Sequence, residues 1–332
     1  MGCDKMRELN SDGREARSTM AVKMTDVNGQ LEGLEHIDGV TVSAGEPLAK
    51  HVSMGVGGPA RWFITVETVE ALEAVLARLR GGAVPWMMLG GGSNTIFTEA
   101  GFGGAIVTLG RGFRQIAAGP GEHEVTAGAG ANLSALMNYA KRRGLTGMEW
   151  AAGVPGTVGG ALAGNAGTGL GEMCDRVAAV EVIDAAGARR MRRRGEFSYG
   201  YRRSDLARDV ILRATVALAP DDVEAIQARI DQGLKKRFEQ PVGKRCSGCM
   251  FKNPAGDYAG RLIDRAGLKG LRVGGAQVSE EHANFIINEG EATSEDIRAL
   301  VEEVRRRVRE ATGVELELEI RMVGLDSRLV LH

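Results

Sequence analysis

Three glycine-dense stretches constrain this chain more than any other feature: Leu89-Gly-Gly-Gly-Ser-Asn94, Gly153-Val-Pro-Gly-Thr-Val-Gly-Gly-Ala161 and Asn165-Ala-Gly-Thr-Gly-Leu-Gly171, each after a short apolar run. Glycine has no Cβ and tolerates positive φ, so successive N–H groups can converge on one anion. Gly90, Gly91, Gly92, Gly153, Gly156, Gly159 and Gly160 supply that freedom here, Pro155 and Ala161 frame the second loop, and Ser93, Asn94, Thr157 and Asn165 add side-chain donors. The pattern predicts a dinucleotide-type cofactor whose diphosphate lies between separate loops. Tight turns alone would explain one such loop but not three.

Neither common nucleotide loop fits. A dinucleotide fingerprint needs G-x-G-x-x-G between a strand and a helix. Gly55-Val-Gly-Gly-Pro-Ala60 runs into a strand instead, and Gly128-Ala-Gly130 lacks the third glycine. No Gly-Lys-Ser/Thr ending exists for a P-loop. The 332 residues, 43% hydrophobic, suffice for two or three domains. A net charge of −1 argues against a nucleic-acid or membrane-surface partner. No apolar run approaches the roughly 20 residues of a membrane span, and the first residues are polar, so a cytoplasmic location is expected.

Hydrophobic spacing divides the chain. Residues 1–34 carry no apolar period and read as a flexible extension. Residues 35–110 form a first lobe, with a strand over 60–66 and a helix N-capped by Thr68. Residues 111–220 form a second lobe. Residues 221–325 form a third domain that opens with the helix after Pro220-Asp-Asp222, holds a helix started by Thr293-Ser-Glu-Asp296, and closes on a strand. In that strand Leu316, Leu318, Ile320 and Met322 oppose Glu315, Glu317, Glu319 and Arg321. Residues 326–332 remain as a tail.

Several ordered blocks resemble the UDP-N-acetylenolpyruvoylglucosamine reductase family: Lys50-His-Val-Ser-Met-Gly-Val-Gly-Gly-Pro-Ala60, the first two glycine stretches, Tyr199-Gly-Tyr-Arg-Arg-Ser204, Phe251-Lys-Asn-Pro254, Arg261-Leu-Ile-Asp-Arg-Ala-Gly-Leu-Lys-Gly270 and His282-Ala-Asn-Phe-Ile-Ile-Asn288. The resemblance covers about residues 40 to 324. It implies an α+β fold: a two-lobed FAD-binding domain of the vanillyl-alcohol-oxidase (PCMH) type plus a smaller α/β substrate domain. FAD and NADPH are the implied cofactors, a UDP-sugar is the implied substrate, and the absence of a long insertion after Ser204 implies the compact second type.

The same resemblance assigns roles. Arg202 and Glu319 would stabilise the enolate left by hydride transfer, and Tyr201 and Asn253 would contact substrate. Without it, Arg202 reads as one of two adjacent surface arginines and Glu319 as part of a solvated row. Family members commonly carry serine at the proton-donor position, where this chain has Cys249. A thiol is more acidic than an alcohol and mostly protonated at neutral pH. Cys246-Ser-Gly-Cys249 also has zinc-knuckle spacing, but no second pair is available among Cys3, Cys174 and five scattered histidines, so no metal is expected. A reversible disulfide between Cys246 and Cys249 is the stronger alternative. A sugar or alcohol oxidase of the same flavin fold and a non-catalytic nucleotide sensor are the rival readings.

Overall fold

The computed structural model describes residues 31–82, 84–241, 243–324 and 329–331. Most of the expected extension therefore lies outside the described residues, but its last part belongs to the core. Leu31 and Leu34 are buried against Ile64, Leu72 and Val75.

The first lobe is a four-stranded sheet in the order Val40–Pro47, Pro59–Val66, Phe102–Leu109, Trp86–Met88, covered by the helix Val69–Arg80. Thr68 caps that helix, its Oγ1 accepting from the Ala71 N–H at 3.1 Å, and Leu72, Val75, Leu76 and Leu79 face inward at the predicted spacing. The second lobe is a five-stranded antiparallel sheet in the order Arg189–Arg193, Val177–Ile183, Val210–Ala217, Glu124–Gly128, Ile116–Ala118. The helices Leu133–Arg142 and Val158–Gly164 pack into its core.

The helix Val223–Arg237 corrects the expected domain boundary. Ile226 and Ile230 join the second-lobe core, and Arg229 bonds Glu149 there at 3.0 Å. Burying two isoleucines stabilises that docking by roughly 1.5–3 kcal/mol each, which decides the helix's allegiance. The third domain thus starts near residue 240 rather than 221. It holds a four-stranded sheet, Arg245–Cys246, Ile286–Asn288, Ala276–Val278, Arg272–Val273, under the helices Ala259–Arg265 and Ser294–Thr312. The longer helix begins with the expected capping box at Thr293 and Asp296.

The final strand also differs from expectation. Alternate burial holds from Leu316 to Met322, yet the segment splits between two partners. Leu318 bridges Phe251 in the third domain, whereas Arg321–Val323 lies parallel to Thr95–Phe97 of the first lobe. Within the expected tail, Leu329–Leu331 adds an antiparallel strand to Arg321–Val323. The chain therefore returns to the lobe that carries the first glycine stretch. Among the described residues no helix is long and apolar enough to cross a membrane.

Candidate active site

The first two glycine stretches face each other. A Cβ on Gly90 would sit 2.8 Å from Thr157 Oγ1, one on Gly91 would sit 3.1 Å from Gly156 Cα, and one on Gly156 would sit 3.1 Å from Ser93 Oγ. Gly92, at φ 64, lies so close to the first lobe that a Cβ would meet the His51 carbonyl oxygen at 1.9 Å. Among the described residues the N–H groups of Gly90, Gly91, Ser93 and Asn94 and, opposite them, of Gly156 and Thr157 donate to no protein acceptor. Backbone amides in that state need an outside acceptor, and a diphosphate provides one. The residues present therefore fit FAD.

The rest of the second stretch is spent inside its own lobe. Gly159 N–H donates to Ala129 O at 2.9 Å, Gly160 N–H to Thr157 Oγ1 at 3.3 Å, and Ala161 N–H to Thr157 O at 2.9 Å. Ala161 is core, Pro155 is exposed and has no N–H, and Gly153 backs onto the Arg237 side chain instead of the first loop. Pro155, Gly159, Gly160 and Ala161 thus shape the cradle without offering it amides.

The third stretch does something other than expected. Asn165 is fully buried at φ 45, its Nδ2 donating to Gly200 O at 3.0 Å and its Oδ1 accepting from Cys174 N–H at 3.0 Å, so its side chain has no polar atom left for a cofactor. Gly167 O accepts from Arg202 Nη2 at 2.8 Å. Both bonds run to the hairpin Tyr199–Gly200/Arg203–Ser204, whose two-residue tip is Tyr201-Arg202. Arg202 is held at φ 53, a left-handed conformation that costs a non-glycine residue roughly 1–2 kcal/mol. Such strain persists where surrounding contacts over-determine it.

Those contacts converge. Arg202 Nε donates to Glu319 Oε1 at 2.6 Å, and its guanidinium lies 5.0 Å from the Tyr201 ring centroid. Tyr201 OH accepts from Asn253 N–H at 3.2 Å, and Asn253 Oδ1 accepts from Ala259 N–H at 3.0 Å. Residues 250–252 and 317–319 run as an antiparallel ladder, with Glu319 N–H on Met250 O and Lys252 N–H on Glu317 O. That ladder sets Cys249 beside Glu319. The three glutamates of the alternating row diverge accordingly: Glu315 pairs with Arg305 and Glu317 with Lys252, both with mostly exposed side chains, whereas the Glu319 side chain is only 17% exposed.

Burial raises the Glu319 carboxyl above its ordinary range, outweighing the opposing pull of Arg202 and Lys252. Burial, with Glu319's charge added, pushes the Cys249 thiol up to about 12, although Arg202 and Arg237 act against it. A thiol in that state stays protonated at neutral pH and can act as a proton carrier.

Two positioning residues escaped the sequence reading, and a third was expected in another role. Buried Asn284 bonds both main-chain groups of Phe251, at 2.9 and 2.8 Å, and fixes the strand that carries Cys249. A lone Asn in the apolar run Ala283-Asn-Phe-Ile-Ile287 was the available signal, since a buried amide requires partners. Asn94, expected to face the cofactor, turns its Nδ2 to Glu319 O at 3.1 Å while its own carbonyl accepts from Arg321 N–H at 3.0 Å. Arg237 joins Gly153 to the Cys249 surroundings, and a basic helix end, Lys235-Lys-Arg237, hid it.

Residues 60–191 match the FAD binding domain family, and residues 240–323 match the C-terminal domain of UDP-N-acetylenolpyruvoylglucosamine reductase. The reductase of that name from Desulfosudis oleivorans is 44% identical over 293 residues, spanning 84% of this chain and 93% of that protein. Its counterpart from Moorella thermoacetica is 41% identical, over 91% of this chain and 98% of that one. The crystal structure of UDP-N-acetylenolpyruvylglucosamine reductase from Thermus caldophilus matches with a TM-score of 0.73 and 39% identity, covering 85% of this chain and 98% of its own. With relatives matched almost from end to end, the chain belongs to the UDP-N-acetylenolpyruvoylglucosamine reductase family and is an FAD-dependent oxidoreductase.

Proposed function

We propose that this protein reduces UDP-N-acetylglucosamine enolpyruvate to UDP-N-acetylmuramate in the cytoplasm, with NADPH as reductant, as a step of peptidoglycan precursor synthesis. The observation that carries this reading is the Arg202–Glu319 pair, held at 2.6 Å by elements of two domains with Cys249 beside it. FAD, when bound, supplies the hydride that NADPH provides.

Hydride arrival at the vinyl carbon leaves negative charge spreading onto the substrate carboxylate. Arg202 is preorganised to meet that charge, its guanidinium already fixed by Gly167 O and Glu319. Fixed donors of this kind need no reorganisation as the reaction proceeds, and losing one typically lowers turnover by about 10²–10³-fold. Cys249 then delivers its proton to the adjacent carbon. Its thiol stays protonated across neutral pH, so the acid form is always present. Glu319 holds the arginine and adds negative charge that favours return of a proton to the sulfur. Tyr201 and Asn253 line the substrate side. On the cofactor side Gly90, Gly91, Gly92, Ser93, Gly156 and Thr157 would hold the diphosphate.

The test is anaerobic reduction of the FAD-loaded protein by NADPH, followed by a choice of oxidants. The UDP-enolpyruvyl sugar should restore the oxidised spectrum faster than oxygen does. Faster reoxidation by oxygen, with a simple sugar as the better reductant, would identify an oxidase instead. Cys249→Ala should lower turnover by about 10²–10⁴-fold, the range of a lost general acid, and Cys249→Ser should retain much of it.

A further inference from the structure

We propose that Cys246 and Cys249 are an oxidation site in which a disulfide between them removes the proton donor and stops turnover. The proposal rests on the reading of Cys249 as that donor. It depends on the cysteine at position 249, because the serine common in the family there cannot form such a bond.

Geometry supports the pairing. Both ends of the segment are fastened to one stretch of the third-domain sheet: Arg245 and Cys246 pair with Asn288 and Ile287, and Met250 N–H donates to Asn284 O at 2.7 Å. Between them the chain bends at Gly248, held at φ 75. A disulfide spans Cα separations of about 4.4–6.8 Å, and a bend at the third of four residues draws the first and fourth toward each other. A Cβ at Gly248 would find no atom within 4 Å, so the bend has room to tighten as the sulfurs close. Both cysteines are free and partly accessible, whereas Cys174 is sealed in the second-lobe core.

The oxidant class is a hydroperoxide. Cys246 sulfur attacks the terminal peroxide oxygen, the O–O bond breaks, and an alcohol or water leaves with the Cys246 proton. The resulting sulfenic acid is then attacked by Cys249 sulfur: the S–S bond forms, the S–O bond breaks, and the Cys249 proton leaves with hydroxide as water. Two thiols lose two electrons and one peroxide gains them. Cys246 is the entering sulfur because the Cys249 thiol, held at about 12, is scarcely ionised.

The experiment uses the FAD-loaded full chain carrying Cys3→Ser, exposed to hydrogen peroxide. Mass mapping should find one peptide that has lost two hydrogens between Cys246 and Cys249, turnover should fall by about 10²-fold or more, and dithiothreitol should restore both. Cys246→Ser should match the parent before treatment and keep its turnover through it; Cys249→Ser should form no cross-link. Absence of the cross-link would overturn the site and leave Cys249's role in turnover standing. A cross-link with turnover intact would overturn the proposal together with the donor assignment. Loss of turnover by Cys246→Ser at the parent's rate would show that pairing is not the cause.

Discussion

Residues 89–94 and 153–161 bring the main chains of two lobes into contact, whereas residues 165–171, equally rich in glycine, fold back to grip the hairpin that carries Arg202. In the first two stretches glycine serves an approach: side chains would collide with His51 O, Gly156 and Thr157. In the third, Asn165 and Gly167 O hold the hairpin, and Gly167 approaches only its own strand neighbour, a Cβ there falling 2.5 Å from Glu172 Cβ. A Cβ on Gly169 would touch nothing within 4 Å. Glycine density thus marks where backbone must come close to something, and only the partners reveal whether that something is a cofactor or another part of the protein.

The largest test of this contrast is Gly92→Ala. Its Cβ would fall 1.9 Å from a carbonyl oxygen at a positive φ, so the change should destabilise the protein by about 4 kcal/mol and yield protein that does not retain FAD, read by visible absorption. Arg202→Met comes next. Turnover should fall about 10²–10³-fold while the flavin spectrum persists, and loss of FAD would erase the distinction between the stretches. Asn165→Ala removes two buried hydrogen bonds without touching the cradle. A loss of about 1–3 kcal/mol in denaturant titration, with FAD stoichiometry unchanged, is expected. Smallest is Gly164→Ala, where a Cβ meets nothing within 4 Å in a helical conformation. A gain of about 0.5 kcal/mol should follow, and any effect on FAD binding would extend the cradle beyond the contacts described.

The sequence made the cradle legible because glycine runs, apolar spacing and caps are local signals. Thr68, Thr293 and the faces of the helices Val69–Arg80 and Ser294–Thr312 sit as their patterns require. What stayed hidden is non-local. Nothing in Tyr201-Arg202 marks a left-handed arginine, and nothing in Asn94 marks a bond to a carbonyl 225 residues away. The helix Val223–Arg237 presents an apolar stripe that fits either neighbouring domain, so its docking depended on where Glu149 and Thr146 waited for Arg229. The alternation from Glu315 to Met322 was visible, but not that one half bridges Phe251 while the other joins a sheet with Thr95–Phe97.

The parallel pairing of Thr95–Phe97 with Arg321–Val323 has a consequence for biogenesis. During synthesis the edge beside the first glycine loop lacks its neighbour until more than two hundred further residues have left the ribosome, and closing so long a loop is slow. Emergence of that late segment completes the edge and delivers Glu319 to Arg202 in one event. A nascent chain therefore lacks the Arg202–Glu319 pair until residue 319 is available to fold.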